Sequence, residues 1–332
     1  MVSVAVIGLG WWGKTIGRLL AASRNLKLVR AVDVDPKGAE WASAQGLPFS
    51  TNYGDALADP KVDAVILCTP HAQHRSQILD AVAARKHIFC EKPLALTRSD
   101  AIECVQACRT AKLVLGIGHE RRFEPPILEL RRLYDSGEIG MALQIEANFS
   151  QDKFLNLPAD NWRLSAKDAP AGPMTATGIH LLDLAVSILG PARRVVCNVS
   201  QLGSQLSNGD TLATLVGFAN GTNALISAML ATPFVGRFAL YANKGWVEVV
   251  DKAHPESSEG WVLTKCLRGG RPERKDYPAA PAVLTNLDAF GDAVAGRAPY
   301  PVSDAELVGT IAALEAVFTS ARKGGTVETV VN

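Results

Sequence analysis

Short apolar runs recur along the first third of the chain, and each is followed by a stretch whose apolar positions return at helical spacing. Residues 2–7, 28–32, 64–68, 88–90 and 113–116 read as strands, and 15–23, 36–45, 76–84 and 99–110 as the helices between them. Strands joined by helices run parallel, and their apolar character on both faces calls for helices above and below the sheet. A doubly wound α/β domain is therefore expected over 1–120. Beyond it the rhythm changes to a helix at 126–136 and then longer alternating segments, 141–149, 194–201, 211–218, 222–231, 237–242 and 246–250. Turn signals such as Asn220-Gly221 and Asn243-Lys244-Gly245 join several of them, so antiparallel pairing in a second, α+β domain over 121–332 is expected. Its helices are read at 180–188, 284–295 and 305–322, the last capped by Ser303-Asp304.

The first strand runs into Gly8-Leu9-Gly10-Trp11-Trp12-Gly13, and the second ends at Asp33. Glycine-rich turns are common, but a strand, a turn of this spacing, a helix and a strand-terminal acid in that order make a dinucleotide fingerprint. Gly8 permits the tight turn, Gly10 lets a pyrophosphate approach the backbone, and Gly13 lets the helix pack closely. Unpaired N–H groups at the helix start attract the phosphates, and Leu9, Trp11 and Trp12 border them. Asp33 is suited to the adenosine ribose hydroxyls and repels a 2′-phosphate, which favours NAD over NADP. Asp35 and Lys37 lie close enough to soften that preference, so NADP stays open.

With 332 residues, 48% of them apolar and 20% charged, the chain has ample core for two domains. A net charge of +1 gives no electrostatic basis for binding nucleic acid or a membrane surface. A small-molecule substrate is expected instead. The chain enters a strand without a basic segment and cleavable apolar core before it, and no apolar run is long enough to span a bilayer, so a cytoplasmic protein is expected. Cys68, Cys90, Cys104, Cys108, Cys197 and Cys266 lack paired metal-binding spacing, and no metal is expected.

The fingerprint is followed by Thr69-Pro70 with His74, by Glu91-Lys92-Pro93, by Gly172-Pro173, and by Gly178-Ile179-His180 with Asp183. This ordered series resembles the Gfo/Idh/MocA oxidoreductases over nearly the whole chain. The resemblance implies a Rossmann domain for the N-terminal sheet and a C-terminal domain with a large open, mainly antiparallel sheet. The free face of that sheet commonly makes dimers or tetramers, so a homodimer or homotetramer is expected. It also implies that Lys92 occupies the family's catalytic position and that His180 acts as acid or base. Read alone, Lys92 is better explained as a surface turn residue and His180 equally well as a packed or capping residue, although an imidazole with an ordinary pKa near 6.5 suits proton transfer at neutral pH.

The same resemblance implies that Thr69, Pro70, His74 and Glu91 border the cofactor, that Trp162-Arg163 reaches it, and that His119 lies near nicotinamide and substrate. Arg121 and Arg122 are expected in ion pairs. Many members carry an aspartate four residues before the histidine, where this chain has Ala176. Pairing of His180 then falls to Thr175, Thr177, Asp183 or the substrate. Asn148, Gln151, Asp152, Lys153, Asn161 and Arg163 can bind several hydroxyls or a carboxylate, which fits a sugar, cyclitol or related polyhydroxylated carbinol. The expected reaction is hydride transfer between a carbinol carbon and the nicotinamide, with Lys92 and His180 assisting proton transfer. Two other activities fit the same residues: a lyase or glycosidase that oxidises its substrate transiently, and a non-catalytic NAD-sensing binding protein.

Overall fold

The computed structural model describes residues 1–331, and the chain divides into two compact units, Met1–Glu120 with Pro281–Val308, and Arg121–Ala280 with 309–331. In the first, β1 (Val2–Ile7), α1 (Trp11–Leu19), β2 (Leu26–Val32), α2 (Gly38–Ala44), β3 (Phe49–Ser50), α3 (Tyr53–Ala58), β4 (Ala64–Leu67), α4 (His74–Ala83), β5 (His87–Cys90), α5 (Arg98–Ala111) and β6 (Leu115–Ile117) follow one another. The strands form one parallel sheet in the order β3-β2-β1-β4-β5-β6. Every residue of β4 is buried, as a strand covered on both faces requires. The order reverses direction between β1 and β4, and in such sheets the crevice at that switch point takes the ligand.

The second unit holds α6 (Pro125–Asp135), β7 (Ala142–Ser150), α7 (Ile179–Leu189), β8 (Ala192–Ser200), β9 (Thr211–Phe218), β10 (Asn223–Met229), β11 (Val235–Ala242), β12 (Gly245–Asp251), β13 (Trp261–Leu267) and β14 (Glu273–Tyr277). After them come α8 (Ala282–Val294), α9 (Asp304–Arg322) and β15 (Glu328–Thr329). Nine strands make a sheet in the order β14-β13-β12-β11-β7-β10-β9-β8-β15. It departs from the expected antiparallel pairing at one place, where β10 runs parallel to β7. The alternation of apolar and polar residues fixes which face of a strand is buried but not the direction of its neighbour. Along β7, Ile145, Ala147 and Phe149 are buried while Gln144, Glu146 and Asn148 face the open side.

The helix expected at 284–295 belongs with the first unit rather than the second. Leu287 and Phe290 of α8 join Val4, Val6, Ile16, Leu26, Ile66 and Phe89 in one core, and the Phe89 and Phe290 rings meet edge-on at 5.6 Å. Asn286 donates to the Ile117 carbonyl at 2.8 Å, and Tyr300 bonds both. The α9 start is capped reciprocally, the Ser303 hydroxyl accepting from the Glu306 N–H while the Glu306 carboxylate accepts from Ser303 N–H. Among the described residues no helix is long and apolar enough to cross a membrane, and no group of His, Cys, Asp and Glu is arranged to hold a metal.

Candidate functional site

The turn after β1 shows a different physical reason for each glycine. Gly8 sits at φ +92°, and a methyl group there would meet the Cys68 backbone at 2.9 Å. At Gly13 a methyl would come 1.8 Å from the Gly8 carbonyl oxygen. Gly10 is the opposite case: no heavy atom lies within 4 Å of the methyl it lacks. It also caps α1 without any side-chain hydrogen bond, and no acidic residue occupies the first turn. The first N–H groups of the helix therefore border open space, with nothing to repel an anion.

Asp33 closes this cradle from the neighbouring strand. Its carboxylate accepts from Leu9 N–H in the glycine turn and from Asp35 N–H at 2.8 Å. Two backbone donors thus fix its orientation, and its remaining lone pairs can accept from a ribose diol. Trp11 is 54% exposed, its ring 5.2 Å from that of Trp12, which packs on the apolar core. These features fit a dinucleotide.

At the ends of β4 and β5 a second group is assembled around His74, which is fully buried. Its Nδ1 lies 2.7 Å from the Pro93 carbonyl oxygen and its Nε2 3.0 Å from that of Thr69. Both ring nitrogens face backbone carbonyls, and a neutral ring donates to one of the two, so His74 acts on any ligand through the segments it lies between. Burial pushes its pKa down. One of those segments carries Thr69-Pro70, with the Thr69 hydroxyl on Gln77 at 2.5 Å; the other carries Lys92, which is half-buried. Glu91 is buried, and its carboxylate would stand 2.5 Å from a methyl group on Gly118. A side chain at residue 118 would therefore require the Glu91 carboxylate to move, and the next residue, His119, is buried after β6.

In the second unit His180 lies at the start of α7, directly after a π-helical turn at Met174–Gly178, a feature frequent at functional sites. Ala176 sits within that turn. The Thr177 hydroxyl donates to the carbonyls of Phe149 at 2.7 Å and Pro173 at 3.2 Å, and that of Thr175 to Gly172 at 3.2 Å. Asp183 takes a two-pronged ion pair from Arg122 at 2.6 and 2.7 Å, and Arg121 is bound by Asp251 and Glu124. Both arginines are thus ion-paired, as their positions in the sequence suggested.

The His180 ring is 5% exposed and lies 6.1 Å from that of Phe149. The His254 ring lies 5.9 Å from Phe149, and Phe234 is close to both. Trp162 and Arg163 form a short turn capped by Asn161, with the guanidinium 4.4 Å over the indole. Asn208 ties this loop down by donating to the carbonyls of Arg163 and Ala169, both at 2.8 Å.

Residues 2–119 match the family described as "Oxidoreductase family, NAD-binding Rossmann fold", and residues 127–248 match the "GFO/IDH/MocA C-terminal domain". The chain belongs to the Gfo/Idh/MocA oxidoreductases. Among its relatives, 1,5-anhydro-D-fructose reductase of Ensifer adhaerens is 28% identical over 99% of this chain and 97% of that protein. Inositol 2-dehydrogenase 2 of Saccharopolyspora erythraea is 32% identical over 57% of this chain and 54% of that protein. The crystal structure of aldose-aldose oxidoreductase from Caulobacter crescentus, complexed with glycerol, superposes with a TM-score of 0.86 at 24% identity, covering 99% of both chains.

As a member of this NAD-binding family the chain is an NAD(P)-dependent oxidoreductase. Of this aromatic cluster the sequence singled out only His180; the polar member it did not reveal is His254. His254 follows the end of β12 and reaches Phe149, Gln151 and Lys153, far from it along the chain. No local motif marks it.

Proposed function

We propose that this member of the Gfo/Idh/MocA oxidoreductases is an NAD-dependent dehydrogenase of a sugar, cyclitol or similar polyhydroxylated carbinol. The observation that carries this reading is the cradle at Gly10: open space at a helix start, closed by a carboxylate that two backbone N–H groups hold in place. The N–H groups of the α1 start would hold the pyrophosphate, and Asp33 the adenosine ribose, disfavouring a 2′-phosphate. When bound, NAD supplies the acceptor for the hydride of the carbinol carbon. The protein's share of the work is to orient that carbinol and move its proton. Lys92 donates a hydrogen bond to the carbinol oxygen, which favours the alkoxide, and His180 takes the hydroxyl proton. His119, Gln151, Arg163 and Thr177 border the substrate, and Thr69, Pro70, His74, Glu91, Trp162 and Arg163 support the cofactor.

A polyol is favoured because relatives are named for 1,5-anhydro-D-fructose and inositol. The half-exposed Leu143, Leu215 and Leu225 of the large sheet support association of copies through that sheet, which light scattering will report. The deciding assay follows NADH absorbance with a panel of cyclitols and aldoses, supplying NAD or NADP. Reduction of NAD by at least one polyol, abolished in Lys92→Met and His180→Ala, is expected. Failure of every polyol, or full activity in either variant, refutes the assignment.

A further inference from the structure

Past the end of β7, Gln151 is the end of a polar relay whose other members, His254, Lys153 and Glu256, have no part in the reaction outlined above. The His254 Nδ1 lies 3.1 Å from the Lys153 ammonium and 3.2 Å from the Glu256 N–H, both donors. Nδ1 must therefore present a lone pair, so the single proton of a neutral ring is on Nε2. Nε2 lies 2.7 Å from Gln151 Oε1, to which it donates. Burial first, and the Lys153 charge second, push the imidazole pKa down to about 4, which keeps the ring neutral at physiological pH. The Lys153 ammonium is itself neutralised by Glu256 at 2.5 Å.

This polarity has a consequence for Gln151. A glutamine amide has a donor end and an acceptor end, and either can face a ligand unless something selects one. Here the acceptor is taken by His254, while the amide nitrogen has no hydrogen-bond partner among the described residues. Gln151 is 6% exposed, and the His254 and His180 rings both pack on Phe149, so the relay ends on the face that carries His180. We propose that His254 is a positioning residue that holds Gln151 with its amide N–H groups toward the substrate, selecting a hydroxyl or carbonyl oxygen there over a protonated amine. This rests on the polyol reading and names the substituent that the site demands.

The test compares wild type with His254→Leu, which removes the donor, and His254→Gln, whose amide N–H restores it. NADH affinity is measured by fluorescence, and myo-inositol affinity for the NADH-loaded protein by calorimetry. Unchanged NADH binding, about tenfold weaker myo-inositol binding in His254→Leu, and recovery in His254→Gln are expected. In turnover the loss should appear in KM, with kcat little changed. Equal myo-inositol binding by all three proteins with NADH bound overturns this inference alone, whereas wild type that fails to bind NADH overturns the cofactor reading beneath it. Nitrogen-15 imidazole spectra provide a check without ligand: the Nε2–H tautomer is expected for His254, and the Nδ1–H tautomer overturns the proposal.

Discussion

Replacing Gly10 by alanine should separate cofactor binding from stability in a way that replacing Gly13 cannot. At Gly10 the backbone is extended, with φ −60° and ψ −178°, a conformation open to alanine, and the added methyl meets nothing within 4 Å. Alanine reduces the freedom of the unfolded chain, worth about 0.4–1 kcal/mol, but is a poorer helix cap than glycine by a similar amount. The two effects offset, so unfolding should stay within about 1 kcal/mol of wild type. The methyl nevertheless fills the space through which a pyrophosphate would reach the helix N–H groups. Loss of one charge-assisted hydrogen bond, about 1.5–3 kcal/mol, weakens NADH about 10- to 100-fold. In Gly13→Ala the methyl would lie 1.8 Å from a backbone oxygen that cannot swing aside, so the whole turn must move. That rearrangement should cost about 1–3 kcal/mol or more, with stability and binding lost together. Urea unfolding and NADH fluorescence titration on both variants decide the matter. A Gly10→Ala protein that binds NADH as wild type does, or is destabilised as much as Gly13→Ala, would refute the argument.

Four further outcomes follow from the geometry. Asp33→Ala should weaken NAD about 10- to 100-fold and narrow the preference over NADP, read from KM for the two cofactors; unchanged selectivity removes Asp33 from recognition. Lys92→Met and His180→Ala should each lower kcat about 100- to 10,000-fold while NADH affinity holds, measured by steady-state kinetics and fluorescence. Asp183→Asn should destabilise the second unit by about 3–5 kcal/mol, because it leaves a charged Arg122 facing a neutral partner in a pair whose acid is 2% exposed. The His254 imidazole, facing Lys153, Glu256, Asp251 and Arg121, has a pKa of about 4 in the fold against about 6.5 when unfolded. Its depressed value means stability is fully present above pH 6.5 or so and is lost as pH falls toward 4, by about 2 kcal/mol after discounting for water at the ring edge. His74 adds to the loss in the same direction. Urea midpoints at neutral and acid pH should show this slope, flattened in His254→Leu.

The legible part of the molecule is the part whose recognition is made by backbone. Gly8, Gly10 and Gly13 could be assigned from spacing because their roles depend on φ, open space and close packing within one turn, all encoded locally. The parallel sheet was legible for a related reason: strands such as β4, buried on both faces, are continuous apolar runs. Strand β14, Glu273–Tyr277, was missed because an exposed sheet edge imposes no alternation on its sequence. Helix α8 was assigned to the wrong unit because Leu287 and Phe290 show that one face is buried without saying against what.

The same limit explains His254. Its chemistry comes from Gln151 and Lys153, brought to it across the sheet by the pairing of β7 with β11 and β11 with β12. Its pKa and tautomer are properties of that assembly and of no segment of sequence. A dinucleotide presents the same phosphates to every such turn, so a local code suffices to recognise it. Substrates differ in where their hydroxyls point, and matching them requires side chains from several strands at once. If His254 orients Gln151 toward the substrate as proposed, variants at these two positions should shift KM among polyols while NADH affinity is unchanged.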